Sequence, residues 1–527
     1  MAASTDPQAA RLGEVIATLA VASDIALGQP QESELRTCLL ALGLADRLGL
    51  DDAARADVHY VAQLRFIGCT AHAHEMADMF GDEITFLAKN ALVNSGDPAD
   101  VLLEVIRNAG AGRPLVERLR VLGSALAGGK QFAEMNFRTS CEVAREIVAR
   151  LDLGDGVRRA LWCAFERWDG HGVPNGVAAD EIPIEMRVVH LAQDMEALLR
   201  HGGTEPAIAV ATKRRGKAYD PTVVDAFVSG AADLAATLDV TSIWDAVLAA
   251  EPAPHRVLSG EELDEGLRVA ADFVDLKSPF TAGHSRGVAD LAAAAAEVCG
   301  LGAADVVAVR RAGWVHDLGR TAVPNTIWDK PGALTDAEFE RVRMHPYFTQ
   351  RLLARTSAFA RLEELASCHH ERADGSGYHR SLKTAMLDPA ARILAAADVY
   401  HAMTEDRAHR VALAPADAAA AVRAEVQAAR IDPEAAEAVL VAAGHRRRAG
   451  VKAQWPAGLT TREVDVLRLL AQGLTTKQIA ARLVISAKTA DSHIQHLYTK
   501  IGCSTRGAAA LFAMQHDLVG DRSPPNR

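Results

Sequence analysis

Between His284 and Arg410 the chain carries a succession of residues suited to metal chemistry. His284 comes first, then the adjacent pair His316-Asp317, then His345, then His369-His370, and last Asp398. Five imidazoles and two carboxylates suit first-row divalent cations such as Fe or Mn, with Zn as a further option. Seven donors are too many for one tetrahedral ion. They match two ions sharing a bridging carboxylate, the arrangement used to hydrolyse phosphate esters: a paired-cation site activates water, neutralises phosphate oxygens and stabilises the leaving alkoxide. Neighbouring side chains on a helix diverge by about 100°, so His316 and Asp317 point in different directions.

Around these donors stand Gly283-His284-Ser285, Trp314-Val315-His316-Asp317-Leu318-Gly319-Arg320, Lys330-Pro331-Gly332, His369 through Tyr378, and Asp406-Arg407. In this order they resemble the HD-GYP family of phosphodiesterases over roughly residues 265–445. The resemblance implies two divalent metal ions, one held by His284, His316, Asp317 and Asp398, the other by Asp317, His345, His369 and His370. It implies catalytic roles for Asp317 and Arg320, and substrate contacts from Arg320, Asp374, Gly375, Gly377, Tyr378, Arg407 and Arg410. It implies a cyclic dinucleotide partner, cyclic di-GMP, opened to linear pGpG and on to GMP.

Four departures from the family pattern matter. Phe280 stands where some members carry a Glu for a third metal, so two are expected. Arg320 replaces the usual Lys; a guanidinium is a fixed fork and a poor proton donor. His379 ends the loop where the family has Pro. Ala408-His409 separates Arg407 from Arg410 in place of a Pro-aromatic pair. A nucleotide sensor that has lost turnover, and a phosphohydrolase of another nucleotide, are the rival readings.

The elements that must position these residues are helical. Abundant Ala and Leu, few aromatics and no sustained alternation of period two predict an all-α chain. Its 527 residues suggest about three domains. No apolar run reaches about 18 residues without a charge, so no membrane partner is expected. The first residues lack the pattern of a signal peptide, and the seven scattered cysteines read as reduced thiols, which together place the chain in the cytoplasm.

Residues 1–250 look like a first, degenerate copy of the same fold. Glu166-Arg167-Trp168-Asp169-Gly170-His171-Gly172-Val173-Pro174 parallels Glu371 through His379. Ser33 stands at the place of His284, Arg65-Phe66 replaces His316-Asp317, Ala164-Phe165 replaces His369-His370, and Gln193 falls at the place of Asp398. A guanidinium where a bridging carboxylate belongs repels divalent cations, so no metal is expected in this copy. The Pro-rich stretch 251–259 reads as a linker to the second copy, 260–444. The expected fold is thus tandem HD-domain helical bundles followed by a smaller C-terminal module.

Charge sets that module apart. Residues 445–527 carry +8, and against a total of −11 this leaves −19 on residues 1–444. An acidic body with a basic end points to nucleic acid at the C-terminus. Residues 445–456 read as a basic linker and 521–527 as a tail. Within 457–520, Thr460 and Glu463 form a capping box that starts a helix ending at Gly473, and a second helix runs from Thr475 to Leu483. Leu459-Thr460-Thr461-Arg462-Glu463, Gly473-Leu474-Thr475-Thr476-Lys477-Gln478-Ile479-Ala480 and Lys500-Ile501-Gly502 resemble the LuxR-type helix-turn-helix over nearly its whole length, which implies a four-helix domain, a DNA partner and a homodimer on two half-sites. The recognition helix is expected to start at Ser486, with Lys488, Thr489, Ser492, His493 and His496 facing DNA, and Lys477 and Lys500 on phosphates.

Overall fold

The computed structural model describes residues 9–90, 93, 98–110, 113–444, 455–516 and 518–519. The expected tail 521–527, and the expected basic linker apart from its last two residues, lie outside these. The chain divides into two compact units, Met1–Leu263 and Asp264–Arg527. Both are helical, and no helix among the described residues is long and apolar enough to cross a membrane.

In the first unit, α1 (Leu12–Ala26) is buried on nearly every side because Ala, Val and Leu occupy all its faces. Next come α2 (Ser33–Arg47), α3 (Asp52–Leu64), the long α4 (Leu115–Arg150) and α5 (Ile184–Gly202); α2 packs on both α3 and α5. Residues 251–259, read above as a linker, contribute to this unit. Strand β1 (Ala9–Arg11) pairs antiparallel with β2 (Val257–Ser259), and the buried Glu251 accepts hydrogen bonds from the Gly13 amide at 3.0 Å and from the Arg11 side chain.

Helix α6 (Gly260–Asp275) spans the division, and the second unit also holds α7 (His284–Val298), α8 (Ala303–Val315), α9 (Asp336–Arg343), α10 (His345–Leu353), α11 (Ala360–Ala366), α12 (Pro389–Met403) and α13 (Pro433–Ala443). Helix α7 is central, packing on α8, α12 and α13; its run of alanines keeps the side chains short where three neighbours converge. A bidentate Arg286–Asp272 pair at 2.8 and 2.7 Å ties α7 to α6. Helices α14 (Thr461–Ala471), α15 (Thr476–Arg482), α16 (Ala487–Ile501) and α17 (Arg506–Gln515) form the four-helix module. Thr460 and Glu463 make the reciprocal capping box at the start of α14.

The repeat is visible in the loops. An added Cβ at Gly377 would lie 2.3 Å from the Arg372 amide nitrogen, and one at Gly172 would lie 2.4 Å from that of Arg167. Only glycine lets the backbone pass so close. In each loop a buried Glu accepts two backbone amides: Glu371 from Arg380 and Leu382, Glu166 from Asn175 and Gly176. The peptide bonds Val173–Pro174 and Tyr378–His379, at corresponding places, are both cis.

One buried position differs in kind. In the second unit the Ser285 amide and hydroxyl both donate to Asp275, at 2.8 and 2.7 Å. In the first, the corresponding residue is Glu34; its amide donates to Asp24 at 3.1 Å, while its 1 % exposed carboxyl has no hydrogen-bond partner. Burial pushes both well above the usual carboxylate range, helped at Glu34 by repulsion from Asp24 and at Asp24 by repulsion from Glu196. Acids with raised folded-state pKa values bind more protons folded than unfolded, so their contribution to stability is present at low pH and is lost as pH rises. Thermal unfolding should therefore occur at lower temperature at pH 8 than at pH 5. Glu34→Gln should flatten that slope and raise the melting temperature at pH 8; an unchanged slope in calorimetry would count against this account.

Candidate functional site

The seven expected donors enter from helix ends and one helix middle. His284 is the first residue of α7, His316 caps the C-terminus of α8, and Asp317 opens the following turn. His345 starts α10, His369 and His370 follow α11, and Asp398 projects from the middle of α12. The turn after Asp317 presses against α10: the Gly319 amide donates to the Thr349 hydroxyl at 2.9 Å, which donates in turn to the His316 carbonyl at 2.9 Å. A Cβ at Gly319 would lie 2.0 Å from the His345 carbonyl oxygen, so glycine is what lets the His-Asp turn and His345 meet.

The structure brings all seven together. Asp317 faces two ways. Its Oδ1 is 3.4 Å from His345 Nε2 and 3.5 Å from His369 Nε2; its Oδ2 is 3.5 Å from His316 Nε2 and 3.8 Å from His284 Nε2. Asp398 Oδ1 lies 3.2 Å from His284 Nε2 and 3.9 Å from His316 Nε2, and its Oδ2 is 3.9 Å from His370 Nδ1.

The outer nitrogens of four imidazoles are committed elsewhere. Nδ1 of His316, His345 and His369 bonds the backbone carbonyl three residues earlier, at 2.7, 2.6 and 2.7 Å, and His284 Nδ1 bonds Glu405 at 2.8 Å. Such bonds aim the Nε2 lone pairs inward, as outer partners of metal-ligating histidines do. Two observations show that the pocket fits cations. His316 Nε2 is buried without a hydrogen-bond partner. His345 Nε2 and His369 Nε2 face each other at 2.9 Å, although the Nδ1 of each is already spent on a carbonyl. Two lone pairs so placed repel unless a positive charge lies between them.

Burial depresses His316 to about 4 and also lowers His345 and His370, so these rings offer neutral lone pairs at physiological pH. Asp317 is buried too, which alone would raise it, but His316 and Arg320 hold it well below the usual range. His284 differs: burial opposes its charge, yet Glu405 and Asp398 outweigh this and push it up to about 10.

Glu405 was not singled out from sequence. Its carboxylate touches His284, Arg407 (2.7 Å) and His401 (3.3 Å). Glu405 lies two residues past the end of α12, so no helical spacing in the sequence marks it. Removing an outer carboxylate that orients a ligating histidine costs about 10–100-fold in metal affinity. Glu405→Ala should show that loss in competition titrations against a fluorescent chelator; affinity equal to the parent chain would refute the role.

The remaining expected residues are distributed as follows. Arg320 donates to Asp317 at 2.9 Å and lies over Trp328, 3.9 Å from the ring centroid. Tyr378 leans on His370 with centroids 4.8 Å apart. Gly375 takes φ +85° in an exposed turn where Asp374 accepts the Ser376 amide. Arg407 reaches His284 Nδ1 at 3.2 Å as well as Glu405. Arg410 donates to the backbone carbonyls of Ala402, Met403, Glu405 and Val411, which engages its guanidinium in shaping the chain after α12.

At the places of the donors the first unit has other chemistry. Ser33, Arg36 and Arg200 all bond Glu196, at 3.1, 2.9 and 3.2 Å. Arg65 donates to the Ala164 carbonyl at 3.2 Å and lies 4.9 Å from the Phe66 ring, and Phe66, Phe165 and Phe137 pack together.

In the C-terminal module, Ser486 caps α16 by accepting the Thr489 amide at 3.0 Å. Lys477, Ser486, Lys488, Thr489, Ser492 and His496 are exposed and His493 is half-buried, while Ala490, Ile494 and Leu497 turn inward. Lys500 is engaged within the module, donating to Glu463 at 2.7 Å and to the Gly458 carbonyl at 3.1 Å.

Comparisons with known proteins agree with this arrangement. The HD domain family model matches residues 133–223 and 268–435, hence both units, and the LuxR family model of bacterial regulatory proteins matches 457–513. The chain is 30 % identical over 434 residues to the 3′3′-cGAMP-specific phosphodiesterase 3 of Vibrio cholerae, spanning 80 % of this chain and 92 % of that one. It is 43 % identical over 100 residues to a cyclic di-GMP phosphodiesterase of Pseudomonas aeruginosa, spanning 19 % of this chain and 24 % of that one. A crystal structure of a cyclic GMP-AMP-specific phosphodiesterase of V. cholerae aligns with a TM-score of 0.57 at 27 % identity, covering 82 % of this chain and 98 % of that one. The protein belongs to the HD-GYP family of HD-domain phosphodiesterases and ends in a LuxR-type helix-turn-helix domain.

Proposed function

We propose that residues 260–444 hydrolyse a cyclic dinucleotide, cyclic di-GMP, to linear pGpG and then GMP, and that residues 457–520 bind DNA as a cytoplasmic, dimeric transcriptional regulator. Residues 1–250 serve as a metal-free copy. The observation that carries the enzymatic reading is Asp317, whose two oxygens face two different pairs of imidazoles. His284, His316, Asp317 and Asp398 would hold one divalent cation, and Asp317, His345, His369 and His370 the other, with Fe or Mn best matched to the donors. Two cations bound there would supply an activated water and charge neutralisation at the phosphate.

The chain's own residues do the rest. Outer bonds to carbonyls and Glu405 hold the imidazoles in one tautomer. Arg320 stays charged at any working pH and so holds a phosphate oxygen rather than passing a proton. Tyr378, Gly375, Gly377 and Asp374 form the loop over the ligands, and Arg407 stands beside His284 for a second phosphate contact. On the DNA side, Lys488, Thr489, Ser492, His493 and His496 follow one exposed face of α16.

A second reading of the substrate, 3′3′-cGAMP, is favoured by the relative that matches most of this chain's length. The test is product analysis of protein supplied with Mn or Fe, given each dinucleotide separately. Linear dinucleotide release supports the enzyme and its order of preference settles the substrate. Tight binding of nucleotide without turnover would leave a sensor instead.

A further inference from the structure

Three large apolar side chains stand open to solvent on the two helices that lead to and from His345. Phe339 on α9 is 46 % exposed, Met344 at the junction 42 %, and Tyr347 on α10 37 %. Singly exposed apolar residues are ordinary, but exposed rings packed against the loop of a site ask for an occupant. These rings are connected to the metal-ligand cluster. Phe339 meets Tyr378 edge-on with centroids 6.3 Å apart, and Tyr378 leans on His370. Tyr347 meets His379 edge-on at 5.9 Å. Two solvent-facing rings thus abut two consecutive loop residues, one of which touches a ligating imidazole. Beside Tyr347, His379 bonds Gln350 through Nε2 at 2.9 Å, while its Nδ1 is buried with no partner.

We infer that Phe339 and Tyr347 are stacking platforms for the two nucleobases of a cyclic dinucleotide whose phosphodiester lies at Asp317; this rests on the phosphodiesterase reading above. A cyclic dinucleotide carries two purines on one phosphate ring, so a site that cuts the phosphate must lodge flat apolar surfaces close by. Stacking accepts any base, because every base has a π face. The platforms therefore admit guanine and adenine alike.

The test uses the full chain loaded with Mn, and a cyclic dinucleotide bearing 2-aminopurine, whose fluorescence falls on stacking. Rapid mixing reads binding before turnover, and steady-state rates follow. The parent chain should quench the probe. Phe339→Ala and Tyr347→Ala should each raise KM about tenfold and leave kcat within about twofold, the double variant should lose quenching, and Phe339→Trp should retain it. Parental quenching and KM in the double variant would overturn the assignment. If the parent quenches the probe but hydrolyses no cyclic dinucleotide, and the double variant loses quenching, stacking stands and the phosphodiesterase reading falls.

Discussion

Asp317→Ala should abolish cyclic dinucleotide hydrolysis, a loss of about a thousandfold or more, and should lower the metal content of the purified protein. Deleting one preorganised charge-stabilising donor typically costs about 10²–10³ in kcat. Asp317 touches His345 and His369 with one oxygen and His316 and His284 with the other, so its removal opens both halves of the cluster at once. It also strips Arg320 of its partner. Chromatographic product analysis and elemental analysis of the same preparation check both parts. Substantial turnover in the variant would mean that the reaction runs elsewhere in the chain. A loss of turnover with metal content unchanged would instead confine Asp317 to the substrate side.

The second large effect concerns DNA. Replacing Lys488, Ser492 and His496 together by alanine should weaken binding to a selected duplex by roughly a hundredfold or more, since base contacts are worth about 1–3 kcal/mol each. These side chains lie on the exposed face of α16, and the inward Ala490, Ile494 and Leu497 that hold the helix in place are untouched. The fold and the hydrolytic rate should therefore survive. Duplexes enriched from a random library by the parent chain supply the probe. Lys477→Ala should weaken all duplexes alike and lower the salt slope by about one. Equal affinity of the triple variant for the enriched duplexes would remove α16 as the reading element.

The donors were legible in the sequence because nearly all of them are local events. His284, His316 and His345 sit at helix ends, where turn residues such as Gly283 and Gly319 mark them out, and the Asp-Gly-x-Gly loop repeats its spacing in both copies. The capping boxes of α14 and α15 could likewise be read from four residues each. What escaped was non-local. The pairing of Ala9–Arg11 with Val257–Ser259 joins residues about 250 positions apart, and the Pro-rich signal beside β2 indicates only a break in helix. The destinations of long cations escaped too. Lys500 and Arg410 read as charges facing a ligand, yet a flexible charged side chain settles on whichever acceptors the fold brings near, here Glu463 and a set of carbonyls. Glu405 needed the stretch after α12 to be seen against His284 at the start of α7.

The loop over the donors is shaped by glycine contacts and by Glu371 reaching two amides, and the copy without donors builds the same loop on Glu166. Architecture and reactivity are thus separable in this chain. If the seven residues hold divalent cations as proposed, withdrawing them should silence the catalyst without melting its scaffold, which makes cation supply a reversible throttle on an intact polypeptide.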